Sequence, residues 1–470
     1  MPIRVLIVTA LFVCVSSRPL AAQEAETAET GGGGAQEGAS PQTEGEGNDR
    51  GSTRPFRGLF GLDDSERIGA SLSGSLFGAY NNNVAATLPG VPLDPRYHRS
   101  GWYTGAKSQL SVNWRGERTS ANGWANAGTS YYPDFDRPLV PAYSGGIGVT
   151  RAIGQRSSLQ IAQSVRYSPY FLSGFFLSVP SLGELPVPPV TSDPAQDVSG
   201  NTRLQYNTQV SISRQLSRES SITAQYMYAK TDYSTLDRWY DQHYGSVIFR
   251  RRLTRHATLR LGYGYRSVAN DTGLPDVPTF HRDSQDFMIG VDYNRAIAFS
   301  MSRRTRIEFT TGTSYIGRSN ISGDEFATSA GSRFHVTGGA QLVHEIARTW
   351  TATAAYRRGV GFSDLVFEPI ISDSYVATLS GLLGRSDSVT VLASASRGSV
   401  GNVSTINRDY SSYVATAQWR HALARYLAAY ARYAYYNHDF SRSIVLPLGF
   451  PQDLSRNGVD FGLNFWLPVR

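Results

Sequence analysis

Eight short segments punctuate the chain: RGERTS (115–120), IGQRSS (153–158), LSRESS (216–221), LTRHAT (253–258), MSRRT (301–305), IARTW (346–350), LGRSDS (383–388) and LARY (423–426). Each has an Arg among small or polar residues. From Arg118 to Arg425 they recur every 37 to 48 residues, with one gap of 62. Midway between them lie longer stretches rich in Pro, Asn, Asp and Gly, such as 81–100, 169–201, 270–282, 318–331, 400–409 and 438–455. The segments linking the two kinds of connection alternate apolar and polar residues with period two, as in LQIAQSVRYS (159–168), TLRLGYGYR (258–266) and RIEFTTGTSY (306–315). Period two is the signature of a strand with two unlike faces. Strands joined alternately by tight turns and long loops run antiparallel and up-and-down.

Eight short turns and nine long loops, two of them shorter ones near 234–240 and 363–372, connect eighteen strands, with sixteen as the alternative count. The expected fold is all-β: a transmembrane antiparallel up-and-down β-barrel over residues 67–470. An even strand number with short turns at one rim and long loops at the other is the pattern of such barrels. HALARYLAAYARYAYY (421–436) has a helical composition, but its row Leu427, Ala429, Ala431, Tyr433, Tyr435 favours a strand. Tyrosines gather toward the long-loop ends, at Tyr80, Tyr131, Tyr132, Tyr167, Tyr226, Tyr228, Tyr263, Tyr265, Tyr315, Tyr356, Tyr433 and Tyr435. Amphipathic rings collect at membrane interfaces, so this is the expected girdle.

The ends agree with export. Residues 1–22 combine Arg4, an apolar run from Val5 to Val15 and a small-residue end at Ala21-Ala22, the form of a cleaved secretory signal. Cys14, the single cysteine, would leave with it, so no disulfide or thiol chemistry is expected. Residues 23–66 are expected to be a disordered periplasmic leader, acidic and rich in Gly and Glu, with no apolar face to bury. Beyond the signal no apolar run reaches the ~18 residues a membrane helix needs. Residues 51–470 carry 42 basic and 31 acidic side chains, a formal +11. In an exported chain that balance does not indicate nucleic acid.

A barrel this wide leaves an aqueous lumen, and strand parity assigns the inward face. On 258–266, Leu259, Leu261, Tyr263 and Tyr265 are expected to face lipid, and Arg260 and Arg266 the lumen. An Arg facing mid-membrane lipid would cost about 2–4 kcal/mol. The same parity turns Arg166, Arg203, Arg306, Arg357, Arg432 and Tyr430 inward, near Glu308. Such a wall attracts anions, while cross-strand pairing with acids would brace it. The longest connection, 169–201, carries Phe171, Phe175 and Phe176; an inward fold as a constriction would cover them, with an extracellular cap or a binding tip as the alternatives. Enzyme signals are weak: no His shows metal-ligand spacing, His438-Asp439 near Ser441 is a lone loop pair, and no phosphate loop or cofactor motif is present. No catalytic residue, metal or cofactor is assigned.

The C-terminal Asp460-x-Gly462-x-x-Phe465-x-Leu467 matches the signal that the outer-membrane barrel assembly machinery reads, although Pro468, Val469 and Arg470 trail it. The ending LPLGFPQDLSRNGVDFGLNFWLP, with Arg456–Val459 and Trp466–Pro468, resembles outer-membrane β-barrel porin-like proteins encoded with bacterial exopolysaccharide loci. The repeated L-S/T-R turns are similar too. This resemblance implies a channel that passes hydrophilic solute in exopolysaccharide export or secretion. The alternatives are a general or anion-selective diffusion porin, a structural or adhesive barrel, and a barrel hydrolase. The partners it implies are outer-membrane lipid and lipopolysaccharide, the assembly machinery, and an anionic polysaccharide or small hydrophilic solutes.

Overall fold

In the computed structural model, residues 68–83, 100–133, 139–168, 202–233, 238–255, 257–271, 279–293, 305–316, 333–346, 349–362, 369–401, 409–444 and 452–469 are described. The signal and leader, and the segment carrying Phe171, Phe175 and Phe176, lie outside them, as does the Arg306 side chain.

The first nine strands are β1 (Ile68–Asn81), β2 (Gly101–Arg115), β3 (Thr119–Tyr131), β4 (Leu139–Ile153), β5 (Ser157–Ser168), β6 (Arg203–Gln215), β7 (Ser220–Tyr233), β8 (Trp239–Arg252) and β9 (Ala257–Asp271). The remainder are β10 (Phe280–Tyr293), β11 (Thr305–Ile316), β12 (Arg333–Ile346), β13 (Trp350–Gly361), β14 (Ile370–Leu383), β15 (Asp387–Val400), β16 (Asp409–Ala424), β17 (Leu427–Phe440) and β18 (Asp453–Val469). Each pairs antiparallel with its neighbours in sequence, and β1 pairs with both β2 and β18, closing one eighteen-stranded barrel. The helix-like 421–436 is the end of β16, a tight turn, and β17.

Short turns close as their sequences require. Gly154 and Gly384 occupy the same place after an apolar residue, both with positive φ (72° and 76°), where a side chain would strain the backbone. In LSRESS and LTRHAT the Leu N–H donates to the carbonyl four residues on, Leu216 to Ser220 at 2.9 Å and Leu253 to Ala257 at 2.8 Å.

The outer face is an apolar belt. Val459, Phe461, Leu463 and Leu467 of β18 are all exposed, as their alternation with inward Asp460 and Gly462 dictates. Rings cap the belt on the long-loop side: Tyr80–Trp102, Tyr143–Tyr167, Tyr263–Phe287, Tyr315–Phe334 and Tyr356–Tyr375 lie 4.9–5.9 Å apart between adjacent strands. Tyr132 corrects the expected girdle. It is buried and stacks on Tyr103 at 4.8 Å inside the barrel, because one step beyond Tyr131 lands on the other face. Toward the turns, the exposed belt ends at residues such as Ile153 and Leu423. Each is ten residues from its strand's tyrosine (Tyr143, Tyr413), a height of roughly 25 Å for strands rising about 3.3 Å per residue and tilted about 40°.

The seam between the first and last strands is continuous from Ala70↔Val469 to Asn81↔Gly458. Pro468 and Val469 therefore do not trail the motif: they stand opposite Ser71 and Ala70 and extend the seam. Gly462 allows the close approach. A Cβ there would stand 2.0 Å from the Leu76 carbonyl oxygen. The Phe465 ring fills the space over Gly74, where a Cβ would meet it at 2.3 Å. At the long-loop end Asn82 N–H donates to Asn457 O (3.1 Å), and Asn457 N–H donates to Asn82 Oδ1 (2.7 Å).

Candidate functional site: the barrel lumen

The inward face follows from register. On β9, Arg260, Gly264 and Arg266 are buried while Leu261, Tyr263 and Tyr265 are exposed, as strand alternation anticipates. Across the ladder, Gly264 faces Asp286 of β10 and Arg266 faces Tyr244 of β8 and Ser284 of β10. Carrying this parity around the sheet places Arg166, Arg203, Arg357, Arg432 and Tyr430 on the inner side, with Glu308. Arg306 occupies a position of β11 opposite Val343. Sequence reasoning did not single out Arg250, Arg282, Arg420 and Arg456, which share the inner parity. Their alternation with outward residues was the signal that could have found them.

These cations are held in different ways. Arg432 forms a close pair with Asp460: Nε donates to Oδ1 at 2.6 Å, and Nη2 lies 2.6 Å from Oδ2. Two members of the sequence constellation, one from the lumen set and one from the C-terminal motif, thus meet across β17 and β18. Arg266 is only 2% exposed and lies 3.7 Å from Asp286, with its guanidinium between the Tyr244 and Phe362 rings (5.1 and 5.7 Å). Its Nη1 donates to the Val360 carbonyl at 3.4 Å, and Val360 is on β13, four strands away. The long-loop end of β13 therefore reaches inward over Arg266.

That contact belongs to a wider band. Toward the long loops the inward side chains Asn81, Thr231, Asn270, Ser284, Ser314, Ser372, Ser396, His438, Leu454 and Arg456 are all buried. Aromatic stacking joins them, with Tyr410 on Phe440 at 5.7 Å and His438 against Phe440 at 5.5 Å. The sequence predicts arginines ringing open water. The structure instead buries Arg266 at this end, where the end of β13 comes over it, and buries Arg260 as well, six residues nearer the short turn on β9. Toward the short turns the lumen is wetter: Asn113 and Arg115 of β2 and Asn122 of β3 face inward and are exposed, as is Lys107 midway along β2. Trp466 is an exception there. The residue that broke the apolar-outward alternation of β18 faces inward, buried with Ala428 and stacked on Tyr426 at 6.0 Å.

His438 and Asp439 do not converge as the pair a hydrolase would need. His438 points inward and donates or accepts at Tyr436 Oη (2.9 Å), while the next residue, Asp439, is exposed on the opposite face. No group of three metal-ligating side chains occurs among the described residues.

No family model and no curated protein sequence matches this chain. Solved structures similar to it include the FrpB iron transporter from Neisseria meningitidis, at 9% identity, TM-score 0.45, covering 87% of this chain and 83% of that one. OccK2 (OpdF) from Pseudomonas aeruginosa, in complex with glucuronate, has 10% identity and TM-score 0.43, covering 86% and 98%. The siderophore receptor PirA from the same organism has 9% identity and TM-score 0.40, covering 84% and 80%. None of these likenesses bears on what crosses this lumen.

Proposed function

We propose that the chain is a bacterial outer-membrane channel that passes hydrophilic, anionic solutes, with exopolysaccharide export or secretion as its setting. The single observation that carries this reading is the unlike chemistry of the two barrel faces. Outside is a closed apolar belt about as tall as a membrane's hydrocarbon layer, capped by rings. Inside, arginines come from β5, β6, β8–β10, β13 and β16–β18, against few inward carboxylates such as Asp286, Glu308 and Asp460. Fixed positive charge in a low-dielectric tube concentrates anions at the entrance.

On this reading solute entering from the short-turn side meets the exposed Arg115 and then Lys107, midway along β2. The buried band beneath the long loops is the closed gate, and Arg266 with the β13 end belongs to it. Phe171, Phe175 and Phe176 are proposed constriction residues. Asp460, Gly462, Phe465 and Leu467 are proposed as the address read during assembly, a role their fit at the seam supports.

Planar-bilayer recording tests it. Open-state current with a reversal potential toward the anion equilibrium is expected, and absence of current at every voltage overturns the channel. Lys107→Glu combined with Arg115→Glu should weaken or reverse the anion preference; unchanged selectivity overturns the role of the basic wall. Block by acidic oligosaccharides is expected for a polymer conduit, and a lack of block assigns the barrel to general diffusion.

A further inference from the structure

Among the charged groups on the described outer surface, one row at the long-loop rim is net positive. On β13, β14 and β15, Arg358, Asp373 and Arg397 stand at one level on adjacent strands, Arg358↔Asp373↔Arg397. Their parity is outward, shared with the exposed Tyr375, Leu379 and Val391. One step below them, toward the belt, lie Tyr356 and Tyr375, 5.1 Å apart. The charged row therefore sits immediately beyond the girdle, on the long-loop side.

Asp373 neutralises only part of this charge. It accepts from Tyr356 Oη at 2.7 Å and from Arg358 Nη1 at 3.4 Å. Arg397 turns the other way: its Nε and Nη2 donate to Tyr413 Oη at 3.0 and 2.6 Å, and no carboxylate pairs with it among the described residues. Both arginines are exposed. Elsewhere the described outer rim is acidic. Lys230 is paired with Asp232 at 3.2 Å beside Asp241, and Asp283 and Asp439 stand outward on β10 and β17. A net positive step on an otherwise acidic rim, at headgroup height, with two arginines rooted two strands, about 10 Å, apart, suits one kind of neighbour.

We infer that Arg358 and Arg397 form a binding site for a phosphorylated lipid headgroup of the outer leaflet, with Tyr356, Tyr375 and Tyr413 supporting it. This rests on the membrane reading above. Each guanidinium gives charge-assisted hydrogen bonds to phosphate oxygens, the acyl chains lie on the apolar belt below, and Asp373 competes for Arg358.

Native mass spectrometry of the full-length protein in detergent, titrated with bisphosphorylated and with dephosphorylated lipid A, tests this. The phosphorylated form should bind more tightly, and Arg358→Gln with Arg397→Gln should weaken it on the order of five-fold per arginine. Asp373→Asn should tighten it, a readout that survives if the double variant folds poorly. Equal binding of the two lipid A forms, or indifference to all three substitutions, overturns the site. Equally tight phosphatidylglycerol overturns the assignment to the outer leaflet. Membrane fractionation separates the two readings: wild type absent from the outer membrane overturns both, whereas wild type present there with unselective lipid A binding overturns only this one.

Discussion

The two ends of the lumen are built from similar residues and treat them oppositely. Toward the long loops, Arg266, His438 and Arg456 are almost wholly buried, stacked on rings or bonded to backbone carbonyls. Toward the short turns Arg115 is exposed, as is Lys107 midway along β2. A buried cation in this setting is a structural commitment, since removing its partner strands a desolvated charge. An exposed one is reached by solute, and contributes little to stability. Selectivity should therefore be sensitive to the turn end, and stability to the interior and the long-loop end.

Four substitutions bear on that contrast. The largest effect is expected where neither end matters until the barrel closes. Gly462→Val would drive a side chain into the Leu76 carbonyl, and no folded barrel should form, read as loss of heat-modifiable gel migration. Next, Arg432→Met strands Asp460 midway along the lumen, and should cost about 3 kcal/mol in denaturant unfolding. If the loss is negligible, charges inside this barrel are solvated and the contrast collapses. Trp466→Ala should cost a comparable or smaller amount, about 2–3 kcal/mol, because the emptied site is next to the wetter end. It should also raise single-channel conductance if Trp466 narrows the path. Smallest in stability is Lys107→Gln, expected within about 0.5 kcal/mol of wild type, yet with a measurable fall in anion preference. A stability loss without a selectivity change would reverse the assignment of the two ends.

Much of this was legible because a barrel strand has only two faces. The alternation of Arg260 and Arg266 with Leu261, Tyr263 and Tyr265 placed each side chain correctly, and the same rule carried Arg166, Arg203, Arg357 and Arg432 inward. It misplaced Tyr132, where the chain leaves β3 and the adjacent Tyr131 had suggested a shared role. It also left Pro468 and Val469 as a tail, since nothing in their types announces that β1 extends far enough to pair with them. The pairing of Arg432 with Asp460 was hidden for another reason: their 28-residue separation does not reveal the register that sets them opposite.

By itself the sequence determined the eighteen strands, their up-and-down order, the closure of the last on the first, and the apolar outside with its basic inside. Period-two alternation and turn chemistry are local, so a linear reading reaches them. Only the tertiary structure decided which inward cations are wet. Arg266 is buried because the end of β13, four strands away, comes over it, whereas Lys107, also inward, is exposed on β2. Burial depends on what stands across the lumen, and no property of a single strand encodes its opposite wall.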